Sequence, residues 1–85
     1  MKAFKEFKQS EHIYVKSLNP DIDVMMFKKE VEDDKIILTI KTFEYVGAKV
    51  GIAKKYEKLT INKADEYITD KHGFYLIGEY TLKAL

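Results

Sequence analysis

The stretch Gly47-Ala48-Lys49-Val50-Gly51-Ile52-Ala53-Lys54-Lys55 comes nearest to a known chemistry. Glycines let backbone N–H groups approach an anion closely, and a lysine just beyond can reach the same anion. The spacing of a nucleotide-binding phosphate loop is not met, however. No serine or threonine follows the lysines to hold magnesium. Two glycines easing a bend in a strand explain the same residues, and that is the reading adopted.

The other reactive side chains are scattered. His12 and His72 are the only imidazoles, and neither has a ligand spacing with acids or with a second histidine. Glu30, Glu32, Asp33 and Asp34 form an acidic cluster without the calcium-loop pattern, as expected of a solvated hairpin tip. Ser10 and Ser17 lack the base, acid and turn context of a nucleophile. Paired carboxylates would need a cleft, for which a chain of 85 residues has little room. No catalytic residue, metal or cofactor is assigned, and the chain is read as a non-enzyme.

What remains is charge and aromatic surface. All fifteen basic residues are lysine, so bidentate guanine readout, bidentate phosphate clamps and arginine fingers are unavailable. Residues 21–34 hold six acids and two lysines, whereas residues 35–58 hold six lysines and two acids. Lys41, Lys49, Lys54, Lys55 and Lys58, interleaved with Tyr45 and Tyr56, make a candidate nucleic-acid surface. The opposing reading lays the acidic strand beside the basic one and cancels it; that reading is preferred here. Tyr45, Tyr56, Tyr75 and Tyr80 are the candidate anchors for a protein partner, since an apolar ring with a polar tip suits an interface.

The elements that would position these groups are partly legible. Ala3, Phe4 and Phe7 lie at helical spacing among lysines, predicting a short amphipathic N-terminal helix. His12 to Leu18 reads as a strand, and Asn19-Pro20-Asp21 as a turn. Residues 22–45 form the clearest unit, a β-hairpin turning at Asp33-Asp34 with Val31 opposite Ile36. Unbroken alternation puts Met25, Phe27, Val31, Ile36, Leu38 and Ile40 on one face, interrupted by Lys29. The turn end is then wet on one face, and the base around Val24 and Phe43 is covered on both. Residues 46–61 fit a bulged or interrupted strand better than the helical stripe Ala48, Ile52, Tyr56 and Leu59. Asn62 as N-cap, Asp65 and Glu66 in the first turn, Lys71 and His72 in the last, and Gly73 after it predict a helix over 62–72. Phe74 to Leu82 alternates as a closing strand.

Length allows one domain, residues 1–85. There is no cysteine to staple the fold, no apolar run long enough for a membrane span, and no signal-peptide pattern near Met1. The expected location is the cytoplasm, although a virion interior would carry the same signature. Heavy use of lysine, isoleucine, tyrosine and phenylalanine suits an A/T-rich bacterium, phage or plasmid. The expected fold is a two-layer α+β sandwich of four to five antiparallel strands, the 62–72 helix on one face and the N-terminal helix at an edge. The first functional expectation is a small protein-interaction module, regulator or inhibitor, that pairs with another protein or with itself as a homodimer. The second is a lysine-based, weakly sequence-specific nucleic-acid binder.

Overall fold

The structure, a computed structural model, describes residues 2–45 and 52–85. Helix α1 (Lys2–Gln9) forms where the sequence predicts it, with Ala3, Phe4 and Phe7 buried and the lysines turned outward. At two turns it is too short to persist alone. It is held at its C-terminal end by Lys29, whose Nζ donates to the carbonyls of Phe7 (3.0 Å), Lys8 (3.3 Å) and Ser10. Those carbonyls have no partner within the helix, and a cation is favoured there. Lys29 thus interrupts the apolar face of its own strand because it caps a helix.

Strand β1 (Ile13–Ser17) follows, then the Asn-Pro turn. Asn19 closes that turn by accepting the Asp21 N–H on its side-chain oxygen at 2.9 Å. The central hairpin is β2 (Ile22–Val31) and β3 (Lys35–Tyr45), paired antiparallel with Val31 opposite Ile36, as the sequence indicates. Its base differs from expectation. The register shifts between Met26 and Lys28, leaving Phe27 as an extra residue, a β-bulge. From there to Ile22 the faces exchange: Met26, Val24 and Ile22 turn inward opposite Ile40, Thr42 and Glu44, whereas Met25 and Phe27 lie exposed. The bulge keeps the inner row apolar and places Asp23 outside. Without it Asp23 would point into the core face, at a large desolvation cost. The base is therefore not covered on both sides.

Strand β4 (Ile52–Asn62) pairs with β3 in unbroken antiparallel register, so neither an interruption at Lys54-Lys55 nor a helical stripe exists over 52–62. The glycines expected to ease its start, Gly47 and Gly51, lie outside the described residues.

The expected helix over 62–72 is absent. Its cap pairing does form, with Asn62 Nδ2 donating to Asp65 Oδ2 (3.1 Å) and Asp65 N–H to the Asn62 carbonyl, but it closes a turn only. Residues 65–68 then take no regular secondary structure. Ile68 is 74% exposed, and Thr69 bridges Tyr75 across a tight loop held by Asp70. Asp70 Oδ1 accepts the N–H groups of His72 (2.8 Å) and Phe74 (3.0 Å), and Gly73 takes φ +83°. The β-branched pair Ile68-Thr69 favours this arrangement, and a ten-residue helix with so small an apolar face has little to hold it. The single closing strand is also corrected. It is a hairpin of β5 (Tyr75–Ile77) and β6 (Tyr80–Ala84), turning at Gly78-Glu79 with Gly78 at φ +60°.

The architecture is thus a small α+β protein, mostly strand: one short helix packed on two three-stranded antiparallel sheets, ordered β1-β6-β5 and β2-β3-β4. It replaces the expected sandwich of sheet and C-terminal helix. The core lies between the sheets and under α1, with Phe7, Ile36, Leu38, Ile40, Ile61 and Leu82 completely enclosed. The strands of β2-β3-β4 are at least twice as long as those of the other sheet, and the molecule measures 44 × 27 × 19 Å. One large sheet therefore has its inner face committed to the core and its outer face uncovered by any described element.

Candidate functional site

The outer face of β2-β3-β4 is read directly from the pairing. Lys41 at its centre stands opposite Met25 on β2 and Tyr56 on β4. The next row toward the turn is Lys28, Thr39 and Lys58; the next toward the base is Asp23, Phe43 and Lys54. Alternation along each strand puts all of these on one side. The bulge adds Phe27, whose ring meets Tyr56 edge to face at 5.2 Å across β3. Lys41 Nζ sits 5.4 Å from the Phe43 ring centre and 5.6 Å from that of Tyr56, within cation–π range.

Large apolar groups stay in contact with water here. Phe27 is 59% exposed, Tyr56 56% and Met25 52%, so three neighbouring side chains form a patch. Contiguous apolar patches on a small protein mark contact surfaces more often than scattered single residues do. Lysines surround this one. Among the described residues the outer face carries Lys28, Lys35, Lys41, Lys54 and Lys58 against Asp23 and Glu30, and Glu30 is engaged by Lys28 at 3.4 Å.

The expected cancellation by the acidic strand is therefore incomplete. Of the six acids in residues 21–34, Asp21 lies in the Asn-Pro turn and Glu32, Asp33 and Asp34 lie at the hairpin tip. Only Asp23 and Glu30 share the outer face with the lysines.

The sequence-predicted site residues divide. Lys41, Lys54, Lys58 and Tyr56 come together on the outer face. Lys55 stands opposite Thr42 and so faces the other side. Tyr45 ends β3 opposite Ile52, and Lys49 lies outside the described residues. Tyr75 and Tyr80 are not surface anchors at all. They are 5% and 6% exposed, packed in the core cluster, with hydroxyls donating to Glu6 and to Glu57 (2.7 Å) respectively. Burial first, then those carboxylate partners, pushes both phenols up to about 12. Phe27 and Met25 were missed, since unbroken alternation assigned them to the core.

Elsewhere the polar groups serve the fold. The Phe74 N–H is the main cause holding the Asp70 carboxyl below its ordinary value, and this bond closes the loop described above. His72 belongs to the same loop rather than to a helix end, and its carbonyl accepts from Lys83 at 3.2 Å. Among the described residues no three His, Asp or Glu side chains cluster as metal ligands, and no helix is long and apolar enough to cross a membrane. In comparisons with known proteins, no family model, no curated protein and no solved structure matches this chain.

Proposed function

We propose that this chain is a non-enzymatic binding module of the cytoplasm that holds nucleic acid on the outer face of β2-β3-β4. The observation that supports it is the composition of that face: five lysines and two acids surrounding exposed Phe27 and Tyr56. The chain as a whole nearly balances, with fifteen lysines and fourteen acids, so positive charge is concentrated there. Lysine ammoniums neutralise phosphates and release counterions, giving affinity without sequence readout. In a protein–protein interface lysine is depleted from the centre, yet here Lys41 occupies it.

Anisotropy of a labelled oligonucleotide at low and high salt tests the reading. Micromolar binding at low salt is expected, with log K falling against log salt at a slope of about −2 to −3 for three to four phosphate contacts. No binding at low salt would refute it.

Met25 beside Phe27 favours a second reading, a protein-interaction module using the same face, because methionine and aromatics are enriched at interfaces. A homodimer through the edge of β4 is the weaker version. Lys54, Lys55 and Lys58 lie on that strand, and charged edges oppose strand-to-strand addition. Light scattering that shows a dimer whose formation Phe27→Ser abolishes would favour this second reading.

A further inference from the structure

We infer that the ligand of this face is a single strand, gripped by base stacking on Phe27 and Tyr56, and not a duplex held by its phosphates alone. The inference rests on the nucleic-acid reading above and deepens it. A duplex buries its base faces, so it offers a protein only phosphates and groove edges. For that ligand exposed aromatic rings find no open base face to stack on, and keeping them in water carries a hydrophobic cost. A single strand presents π-faces that stack on aromatic rings irrespective of sequence. The two rings come from flanking strands and meet over β3, so bases laid on them cross the sheet.

The charges sit where a crossing strand needs them. Lys28 and Lys58 flank the ring pair on the turn side, and Lys54 flanks it on the base side. Four residues along β4 separate Lys54 from Lys58, about 13 Å, enough for a short run of nucleotides to pass between them. Lys41, poised against the Tyr56 ring, is placed to meet a phosphate as the neighbouring base stacks. A grid of lysines without arginine also suits a ligand bound by charge and stacking, not by base identity.

The bulge supplies the ring that the pair depends on. A regular β2 would turn Phe27 inward, leaving Tyr56 without its ring partner across β3. Its placement is thus the single structural feature that converts a charged sheet into a stacking surface.

The test compares a thymidine homopolymer single strand, a mixed-sequence DNA duplex and poly-glutamate against the wild type and four variants. The single strand is expected to bind at least tenfold tighter than the duplex, and poly-glutamate weakest. Tyr56→Phe should keep single-strand affinity, whereas Tyr56→Leu and Phe27→Leu should each lose about tenfold, the worth of a stacked base. Lys55→Ala, on the opposite side of β4, should change affinity less than twofold. Both leucine variants keep an apolar side chain at an exposed site, so circular dichroism should show them folded. Duplex binding equal to the single strand, or leucine variants equal to wild type, would overturn the stacking inference and leave the phosphate-binding face standing. Absence of binding to either nucleic acid would overturn both, and tight poly-glutamate binding would transfer the face to an acidic protein partner.

Discussion

Lys29 Nζ, rising near the hairpin-turn end of β2, donates to the carbonyl of Phe7 at 3.0 Å and so ties the central hairpin to the last turn of α1. The same ammonium reaches Lys8 and Ser10, so one side chain serves three carbonyls at and just beyond the helix end. Charge-assisted bonds of this kind are worth about twice a neutral one. They also fix the rotation of Phe4 and Phe7 into the space between the sheets.

Lys29→Met, which keeps the aliphatic stem but removes the charge, should destabilise the protein by about 1.5–3 kcal/mol. Urea denaturation measures this. Amide exchange should quicken first at Ser10, whose N–H bonds to the Glu6 carbonyl at the helix end. A change below about 0.5 kcal/mol would show that the helix is held by its apolar face alone.

Deleting Phe27 should leave a folded protein. The register on either side of the bulge then joins into one regular ladder, with Met26 still opposite Ile40 and Lys28 opposite Thr39. Were β2 regular to begin with, the same deletion would turn Ile22 to Met26 over and expose the inner row. A cooperative melt within about 1–2 kcal/mol of wild type is expected, against outright unfolding in the alternative.

The hairpin, its tip at Asp33-Asp34 and α1 were legible because each is fixed by local pattern: period two with β-branched residues, paired acids, and three apolar groups on one helical face. The bulge was not. Its signal is the run Val24-Met25-Met26-Phe27, four apolar residues where alternation allows only two, with Asp23 and Lys29 bracketing it in the same parity. Only the choice of which acid or cation can be tolerated inside decides where the extra residue goes, and that depends on α1 standing over Lys29. The 62–72 segment failed for another reason. Asn62, Asp65 and Gly73 suit a helix cap and a β-turn equally, since both use an Asx side chain and a positive-φ glycine. The local bridge of Thr69 to Tyr75, across the loop that Asp70 closes, decided between them. Tyr75 and Tyr80 looked like surface anchors because the Gly78-Glu79 turn between them went unread, and that turn places both rings on the same inner face.

Gly78→Ala should destabilise by about 1–2 kcal/mol through backbone strain, because φ +60° suits glycine and crowds a Cβ against its own carbonyl. No neighbouring atom lies near the added methyl, so packing contributes nothing to the loss. Thermal melts of Gly78→Ala and Gly78→Asn separate the two causes, since asparagine tolerates this conformation and should recover part of the stability.

Alkaline unfolding should draw on Tyr75 and Tyr80. Both phenols titrate near 12 in the folded protein, against about 10 in the unfolded chain. Folding therefore retains protons that the unfolded chain has lost, and stability is whole below pH 10 and falls as pH rises toward 12. Chemical denaturation across that interval should show the decline, and Tyr80→Phe should make it shallower. An unchanged slope in Tyr80→Phe would mean that the hydroxyl bond to Glu57 contributes nothing to the pH dependence.

The central claim is that one face of one sheet is the binding surface. Backbone amide shifts recorded while a thymidine single strand of about a dozen nucleotides is titrated in test it most directly, since single-strand sites span roughly 4–16 nucleotides. The account predicts shifts concentrated at Met25, Phe27, Lys41, Tyr56 and Lys58, with β5 and β6 unmoved. Shifts confined to β1, β6 or α1, or none at saturating oligonucleotide, would contradict it.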